Sequence, residues 1–196
     1  MVGRATRGSG LLEGFLARLR ARRANGLIPP QLRTGRILDI GCGSYPYFLA
    51  HTSFREKFAI DKLGFDQAIP SIVFHNVDLE ANPTLPFDSG YFSVITMLAV
   101  VEHLSPPRLV DLLKETRRVL NDRGMVILTT PAAWSDRLLR QMARIGLVSP
   151  EEISEHVYPY SLPLVGWYFG VAGFDMLKLD FGYFEFGLNM WATARR

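Results

Sequence analysis

A glycine-containing loop and three aspartates beside short apolar runs are the residues best placed for chemistry. The first run reads RILDIGCGSYP, with Asp39 inside it and Gly41 and Gly43 at its end, and Asp61 and Asp78 end the next two runs. Glycine lets a backbone approach a ligand without a Cβ clash, and a carboxylate at a strand end can accept hydrogen bonds from a vicinal diol. The pattern predicts one ligand shared by the loop and by Asp61, about twenty residues further along. The plainer alternatives are a glycine turn without a ligand and a solvated acid at a strand end.

These residues need strands that end at a common edge and helices that cover the sheet. Short apolar runs that stop at glycine or aspartate predict buried parallel strands, and helical spacing of apolar residues predicts the helices. The predicted strands cover residues 36–40, 56–60, 71–77, 92–98, 125–130, 174–181 and 187–194. The predicted helices in the domain cover residues 44–53, 106–120, 134–145 and 162–172, with Ser44 as the cap of the first. In an open sheet of this kind, ligands bind beyond the carboxyl ends of the strands.

Length and composition predict a single globular domain. The chain has 196 residues, of which 48% are hydrophobic and 21% are charged, which is ordinary for a soluble domain with a buried core. A single cysteine, Cys42, excludes a disulfide framework within the chain and favours a reducing compartment. The longest apolar run, residues 91–101, is far too short to span a membrane, and no secretory signal is visible. We therefore expect a cytoplasmic enzyme or binding domain.

Positive charge is concentrated at the N-terminal end. Residues 1–36 carry eight arginines and one glutamate, a net charge of +7, whereas residues 37–196 carry 14 basic and 18 acidic side chains, a net charge of −4. A nucleic-acid-binding domain would carry its basic patch on the folded body, so no nucleic-acid partner is expected. We predict a basic amphipathic arm over residues 1–30 and a folded domain over residues 31–196.

The arm contains apolar residues at helical spacing, followed by arginines. The apolar stripe consists of Leu11, Leu12, Phe15, Leu16 and Leu19. A helix of about three turns is marginal alone in water, so the stripe is expected to dock on something. Either it packs against the domain, where it could close a ligand site, or it binds an anionic partner such as a membrane surface.

Further segments complete a pattern typical of one enzyme family. After the loop and the aspartates come FSVITMLAVVEHL at residues 92–104 and RVLNDRGMVILTTP at residues 118–131. The chain then has AGF at residues 172–174 and a closing LNMWATA at residues 188–194. Over roughly residues 34–196 the sequence resembles the class I S-adenosylmethionine-dependent methyltransferases. The resemblance implies a Rossmann-like α/β fold, with a seven-stranded, mostly parallel sheet, helices on both faces and an antiparallel last strand.

The resemblance also implies S-adenosylmethionine as the cofactor and assigns residues to it. The loop under the methionine part would be shaped by Asp39, Gly41 and Gly43, and the ribose hydroxyls would bind Asp61. The adenine would lie beside Asp78 and Leu79, and the methionyl group would lie beside Leu98. The chain departs from the family at Tyr45 and Pro46, because the family often has a third glycine where Tyr45 stands. A nicotinamide-binding loop would need glycine in place of Pro46, so that alternative is disfavoured.

The transfer of a methyl group from a sulfonium releases a neutral thioether, so the leaving group needs no acid. Most of the acceleration can come from alignment, and a base matters only for an acceptor such as a hydroxyl. His103, just after the fourth predicted strand, is the leading candidate base, and His156 is the second. The alternatives are a structural or cofactor-packing role for His103 and a surface position for His156. Tyr158 and Tyr160 are predicted to lie in the acceptor pocket.

No metal ion is expected. Some related enzymes bind a divalent metal through Glu-x-x-Glu-His in the loop after the fourth strand, whereas residues 99–103 here read AVVEH. Ala99 stands in place of the first ligand, and two remaining ligands rarely hold Mg²⁺ tightly.

The leading hypothesis is therefore a methyltransferase that acts on a small-molecule or lipid-like acceptor, with O-methylation as one form of the reaction. One alternative is an S-adenosylmethionine-binding protein without transfer activity, which acts as a regulator or assembly partner. Another is a peripheral membrane protein whose core is a scaffold. Contact with an anionic membrane through the arm is the partner expected beyond the acceptor.

Overall fold

Seven strands form a single sheet in this computed structural model, which describes residues 11–65, 69–154 and 157–196. The strands are β1 (Arg36–Ile40), β2 (Glu56–Asp61), β3 (Ile72–Asn76), β4 (Phe92–Leu98), β5 (Leu120–Pro131), β6 (Leu179–Phe184) and β7 (Asn189–Arg195). Their order across the sheet is β3-β2-β1-β4-β5-β7-β6.

Helices and short 3₁₀ turns connect the strands. The α-helices are α1 (Glu13–Leu27), α2 (Tyr47–Ala50), α3 (Pro106–Val119), α4 (Asp136–Arg144), α5 (Pro150–Ser154) and α6 (Leu162–Val171). The 3₁₀ turns are Pro30–Thr34, Val101–His103, Ala133–Ser135, Met176–Lys178 and Glu185–Gly187. In the described part of the chain, no helix has the length and apolar character needed to cross a membrane.

The strand pairing confirms the predicted fold. β1 pairs in parallel with β2 and β4, β2 pairs in parallel with β3, and β4 pairs in parallel with β5. β7 runs antiparallel between β5 and β6. Because the parallel strands share one direction, their carboxyl ends meet at the same edge of the sheet, where the loops that follow them can form a ligand site.

Successive strand residues point to opposite faces of the sheet, and each face is covered. Leu38 faces a core that includes Leu112 of α3 and Phe169 of α6. Its neighbour Ile37 faces a second core that includes Ala24 of α1 and Leu49 of α2. Helices therefore lie on both faces, as predicted.

Several predicted elements differ from the structure in extent. The strand predicted over residues 125–130 begins at Leu120, because the chain passes directly from α3 into β5. The helix predicted over residues 44–53 is reduced to α2, and its N-cap is Pro46, which has no side-chain oxygen to offer, so Ser44 does not cap it. The sixth strand begins at Leu179 because Asp175 first caps a 3₁₀ turn, in which its side chain accepts a hydrogen bond from the Leu177 amide at 3.0 Å.

The described part of the predicted arm packs on the sheet through residues other than the predicted ones. Ala21 and Ala24 of α1 are buried against the second core, whereas Leu11 and Phe15 are 83% and 57% exposed. Leu16 packs in a third, smaller cluster with residues of α4 and the segment that follows it. The predicted apolar stripe is therefore divided, because Leu16 packs in this cluster whereas Leu11 and Phe15 are exposed. The division of the chain at residue 30 stays a prediction.

Candidate functional site

Backbone hydrogen bonds hold the loop after β1 against β2. The amides of Gly41 and Cys42 donate to the Ile60 carbonyl at 2.8 and 3.4 Å. Gly41 and Gly43 have φ angles of 72° and 70°, a left-handed conformation that glycine adopts readily. A Cβ on Gly41 would lie 2.4 Å from a methyl carbon of Val100, whereas a Cβ on Gly43 would meet no heavy atom within 4 Å. Gly41 thus permits close packing, and Gly43 leaves the backbone open on its outer side.

Asp61, the last residue of β2, ties this loop to the sheet. Its Oδ2 accepts a hydrogen bond from the Gly43 amide at 2.8 Å, and its Oδ1 accepts one from the Leu63 amide at 2.9 Å. A carboxylate offers about four acceptor positions, so each oxygen can accept one more hydrogen bond. Asp61 can therefore hold the loop and bind ligand hydroxyls at the same time.

Asp39 is buried beneath the loop, with 4% of its surface exposed. Burial raises the pKa of its carboxyl group to about 7, against an opposing hydrogen bond from the Thr96 hydroxyl at 2.6 Å. The nearby charge of Asp61 raises this pKa further. A cation bound close to Asp39 would favour its ionised form.

A cavity of about 270 Å³ lies at the carboxyl ends of the parallel strands. All seven residues predicted to bind the cofactor line it, and so does His103; the seven are Asp39, Gly41, Gly43, Asp61, Asp78, Leu79 and Leu98. The structure thus brings together residues at the carboxyl ends of four strands, β1 to β4, and in the loops that follow them. Their assignment to parts of the cofactor stays a prediction.

The loop after β3 forms one side of this cavity. The Asp78 side chain accepts hydrogen bonds from the amides of Glu80 and Ala81 at 3.0 and 3.3 Å, which fixes the turn. Leu79 is buried, whereas Asp78 is exposed. An apolar wall beside an exposed acid can accept the face of a planar ring.

For the remaining wall of the cavity, the sequence offered only the alternative that the arm packs on the domain and closes a ligand site. That wall is formed by α1, α4, the segment around α5 and the start of β7, and its main residues are Glu13, Leu16, Ala17, Arg20, Leu139, Val148, Ile153 and Asn189. Glu13 is only 5% exposed, and its Oε1 accepts a hydrogen bond from the Ser149 amide at 2.8 Å. This contact joins residues 136 positions apart, so local sequence patterns carry no signal for it.

The 3₁₀ turn after β4 contains Glu102 and His103, and both residues line the cavity. His103 is half-buried and lines the cavity. Glu102 is 3% exposed, and its Oε2 has no hydrogen-bond partner among the residues that the structure describes. Its carbonyl accepts a hydrogen bond from the Val157 amide at 2.8 Å. His156, the second candidate base, lies outside the described residues.

Two tyrosines predicted for the acceptor pocket lie elsewhere. Tyr160 is fully buried in the first core, where its hydroxyl donates to the Leu104 carbonyl at 3.3 Å. Tyr158 is exposed, and neither tyrosine lines the cavity. Tyr160 is held in the core because it forms a β-bridge with Ala132.

The cavity offers neither a free thiolate nor a recognisable metal centre. Burial raises the pKa of the Cys42 thiol, which therefore stays protonated at neutral pH. Across residues 11–65, 69–154 and 157–196, no group of three or more His, Cys, Asp and Glu side chains is arranged to hold a metal ion. Metal independence itself stays a prediction.

Comparison with known proteins gives one family match and several similar structures. A family described as a methyltransferase domain matches residues 11–179. The structure is similar to a SAM-dependent methyltransferase from Archaeoglobus fulgidus, with a TM-score of 0.69 and 16% identity over 91% of this chain and 94% of the other. It is also similar to an S-adenosylmethionine-dependent methyltransferase from Mesorhizobium loti, with a TM-score of 0.64 and 15% identity over 90% of this chain and 98% of the other.

A third similar structure is a chain from a Haloferax volcanii complex between a methyltransferase activator and a methyltransferase. Its TM-score is 0.68, with 15% identity over 90% of this chain and 88% of the other. No curated protein matches the sequence. At identities this low, the structural similarities establish the fold, while the family match spans most of the chain. The chain therefore belongs to the methyltransferase-domain family, and its fold is that of S-adenosylmethionine-dependent methyltransferases.

Proposed function

We propose that this methyltransferase transfers the methyl group of S-adenosylmethionine to a small-molecule or lipid-like acceptor. We also propose that hydroxyl oxygens are among the atoms that it methylates. The observation that carries the proposal is a single cavity with two unlike ends. One end has the glycine loop and the aspartates, and the other has the apolar side chains of Leu16, Leu139 and Ile153, with Glu13 and Arg20 beside them. A polar cofactor and an apolar acceptor can therefore meet in one cavity.

The residues at the polar end fit the cofactor. Gly43 leaves room beside the backbone, and Asp61 keeps free acceptor positions next to it. Asp39 would be held ionised by the positive charge of the methionine part. When bound, S-adenosylmethionine supplies an electrophilic methyl group on a sulfonium.

The protein's part in the reaction is alignment, exclusion of water and, for some acceptors, removal of a proton. The apolar wall limits water around the reacting atoms, and holding two groups in line supplies much of the acceleration. An amine or thiolate acceptor needs no base in this scheme. For a hydroxyl acceptor, His103 is the proposed base, since it lines the cavity just after β4.

Two measurements test the proposal in sequence. Calorimetry should first detect binding of S-adenosylmethionine, and transfer of its labelled methyl group should then be measured with amphiphilic phenols, fatty acids and amines. Turnover on an apolar acceptor supports the proposal, whereas turnover only on strongly polar acceptors contradicts the assignment of the apolar wall. Binding without turnover on any acceptor class would favour a regulatory role instead.

Affinity for the cofactor should rise with pH around neutrality. The pKa of Asp39 is raised from 3.8 to about 7, so its carboxyl is mostly protonated at lower pH and ionised at higher pH. Because the cationic cofactor favours the ionised form, affinity should increase by about tenfold between pH 6 and pH 8. Calorimetry on Asp39→Asn is the matched control, since titration of the ligand itself is common to both proteins. A pH dependence that is identical in the variant would contradict the role of Asp39.

Removal of divalent metal should leave the rate unchanged once an acceptor is known. Ala99 stands where a metal-binding relative would have its first ligand, and too few ligands remain nearby to hold Mg²⁺. Dialysis against a chelator before the transfer assay checks this expectation. A rate that collapses and returns on addition of Mg²⁺ would show that the loop does bind metal.

A reducing compartment such as the cytoplasm is the proposed location, supported by the single free cysteine. Nucleic acid is not a proposed partner, because residues 37–196 have a net charge of −4.

A further inference from the structure

Large apolar side chains are exposed on the outside of the segments that close the cavity. Leu11, Ile145 and Phe186 are 83%, 71% and 103% exposed. We call the full set the outer face, and it consists of Leu11, Phe15, Trp134, Leu138, Ile145 and Phe186. Contiguous exposed apolar surface marks an interaction site more often than scattered single residues do.

The outer face is continuous although its residues come from three parts of the chain. The Leu11 amide donates to the Gly146 carbonyl at 3.2 Å, which places the start of α1 beside Ile145. At the other end, a Cβ on Gly187 would lie 3.5 Å from the Trp134 ring, so the turn between β6 and β7 adjoins the start of α4. α4 joins the two ends, because Leu138 lies four residues after Trp134 and Ile145, the C-cap of α4, lies seven residues after Leu138.

Phe186 adds a separate sign that this face is built for contact. It has a φ angle of 56°, and the preceding Glu185 has one of 53°. Left-handed backbone at a non-glycine residue costs roughly 1–3 kcal/mol. The turn thus presents an aromatic ring to the solvent from a strained backbone. A contact at the ring would offset the cost of the strain and the cost of exposing apolar surface to water.

Arginines surround these apolar residues. Arg18 and Arg22 follow Phe15 along the exposed side of α1, and Arg137 and Arg144 are exposed on α4. Together α1 and α4 contain seven arginines and two acids, a net charge of +5, whereas the whole chain carries +3. One of the two acids is buried, and the other forms an ion pair within α4 at 2.9 Å. Arg20 lines the cavity and Arg23 lies over the Trp191 ring, so they do not belong to this face. The exposed arginines that make the outer face basic as well as apolar are Arg18, Arg22, Arg137 and Arg144.

We propose that the outer face docks on an anionic lipid bilayer, with the closing wall of the cavity turned toward the lipid. Apolar side chains that enter the boundary of the acyl chains, together with arginines that reach anionic headgroups, are the combination that binds such a surface. A second copy of this chain is a poorer occupant, because the exposed arginines of two such faces, Arg18, Arg22, Arg137 and Arg144, would repel each other. The inner side of the same segments lines the cavity through Leu16, Leu139 and Val148. This docking does not depend on which acceptor the enzyme uses.

Cosedimentation of the full-length protein with vesicles tests the proposal. Binding is expected to phosphatidylcholine vesicles that contain phosphatidylglycerol, with much weaker binding to phosphatidylcholine alone and a loss of binding in high salt. The double variant Leu11→Ser/Ile145→Ser should weaken binding by at least about tenfold, since two large apolar side chains no longer enter the lipid. Both residues are exposed, so its melting temperature should match that of the unsubstituted protein.

Leu177→Ser is the matched control. Leu177 is 94% exposed and lies just before β6, at the end of the strand away from the cavity. β6 begins at Leu179, which pairs with Ala194, whereas Asn189, at the other end of β7, lines the cavity. This variant should bind vesicles like the unsubstituted protein. Arg18→Gln/Arg22→Gln should lose the preference for anionic vesicles, by a factor on the order of ten. The proposal is overturned if the protein does not bind anionic vesicles, or if Leu177→Ser weakens binding as much as the Leu11→Ser/Ile145→Ser variant.

Discussion

Gly41→Ala is expected to lower the free energy of unfolding by about 2–4 kcal/mol. Two costs combine at this position. The φ angle of 72° is one that alanine adopts only with strain, and the added Cβ would lie 2.4 Å from a methyl carbon of Val100. The loop would have to shift, so cofactor binding should weaken as well. Urea denaturation followed by circular dichroism measures the change in stability.

Three further variants separate the two costs. Gly64→Ala is the control, because a Cβ there meets no heavy atom within 4 Å and its φ is not left-handed. Gly43→Ala carries the backbone cost alone, with φ of 70° and no close neighbour, so it should fall between the other two. Adding Val100→Ala to Gly41→Ala should recover part of the lost stability. If Gly41→Ala and Gly64→Ala unfold at the same urea concentration, the packing described for the loop is wrong.

The sequence was most informative where burial and turn chemistry act locally. β1 and β4 have the predicted bounds, because each is an apolar run buried on both faces that ends where the chain must turn. Once the strands are parallel, the carboxyl ends of β1, β2 and β3 meet, and so the aspartates on them share a cavity. The polar end of the site followed from these two facts.

The apolar end of the site depends on contacts between distant segments. Glu13 reaches Ser149 across 136 positions, and no spacing within either segment indicates such a contact. Helical periodicity identified apolar residues on α1 but could not show which side would pack, because Ala21 and Ala24 are small enough to approach the sheet. The exposed Leu11 and Phe15 then became part of a surface instead of the core.

Asp61→Ala is expected to weaken the binding of S-adenosylmethionine and of its demethylated product, S-adenosylhomocysteine, by about ten- to a hundredfold. A hydrogen bond to a charged group contributes roughly 1.5–3 kcal/mol, which corresponds to that range. The carboxylate also accepts the Gly43 amide at 2.8 Å, so the variant loosens the loop in addition to losing any bond to the ligand. Calorimetry with S-adenosylhomocysteine measures the total loss. Asp180→Ala, which removes the same charge from an exposed position on β6 outside the cavity, should bind normally.

An analogue of S-adenosylhomocysteine without ribose hydroxyl groups can divide the loss between the ligand and the loop. If Asp61 binds the hydroxyls, the unsubstituted protein should prefer the natural ligand, and Asp61→Ala should bind the two ligands with nearly equal affinity. If Asp61 serves only as an acceptor for the loop amides, the variant should bind both ligands more weakly than the unsubstituted protein does, by the same factor. That second result would contradict the ribose assignment and leave the role of Asp61 in the loop intact. Unchanged affinity in a folded Asp61→Ala protein would also contradict the ribose assignment. The free lone pairs on both carboxylate oxygens favour the first result, because the two amide bonds leave acceptor positions in a residue that lines the cavity.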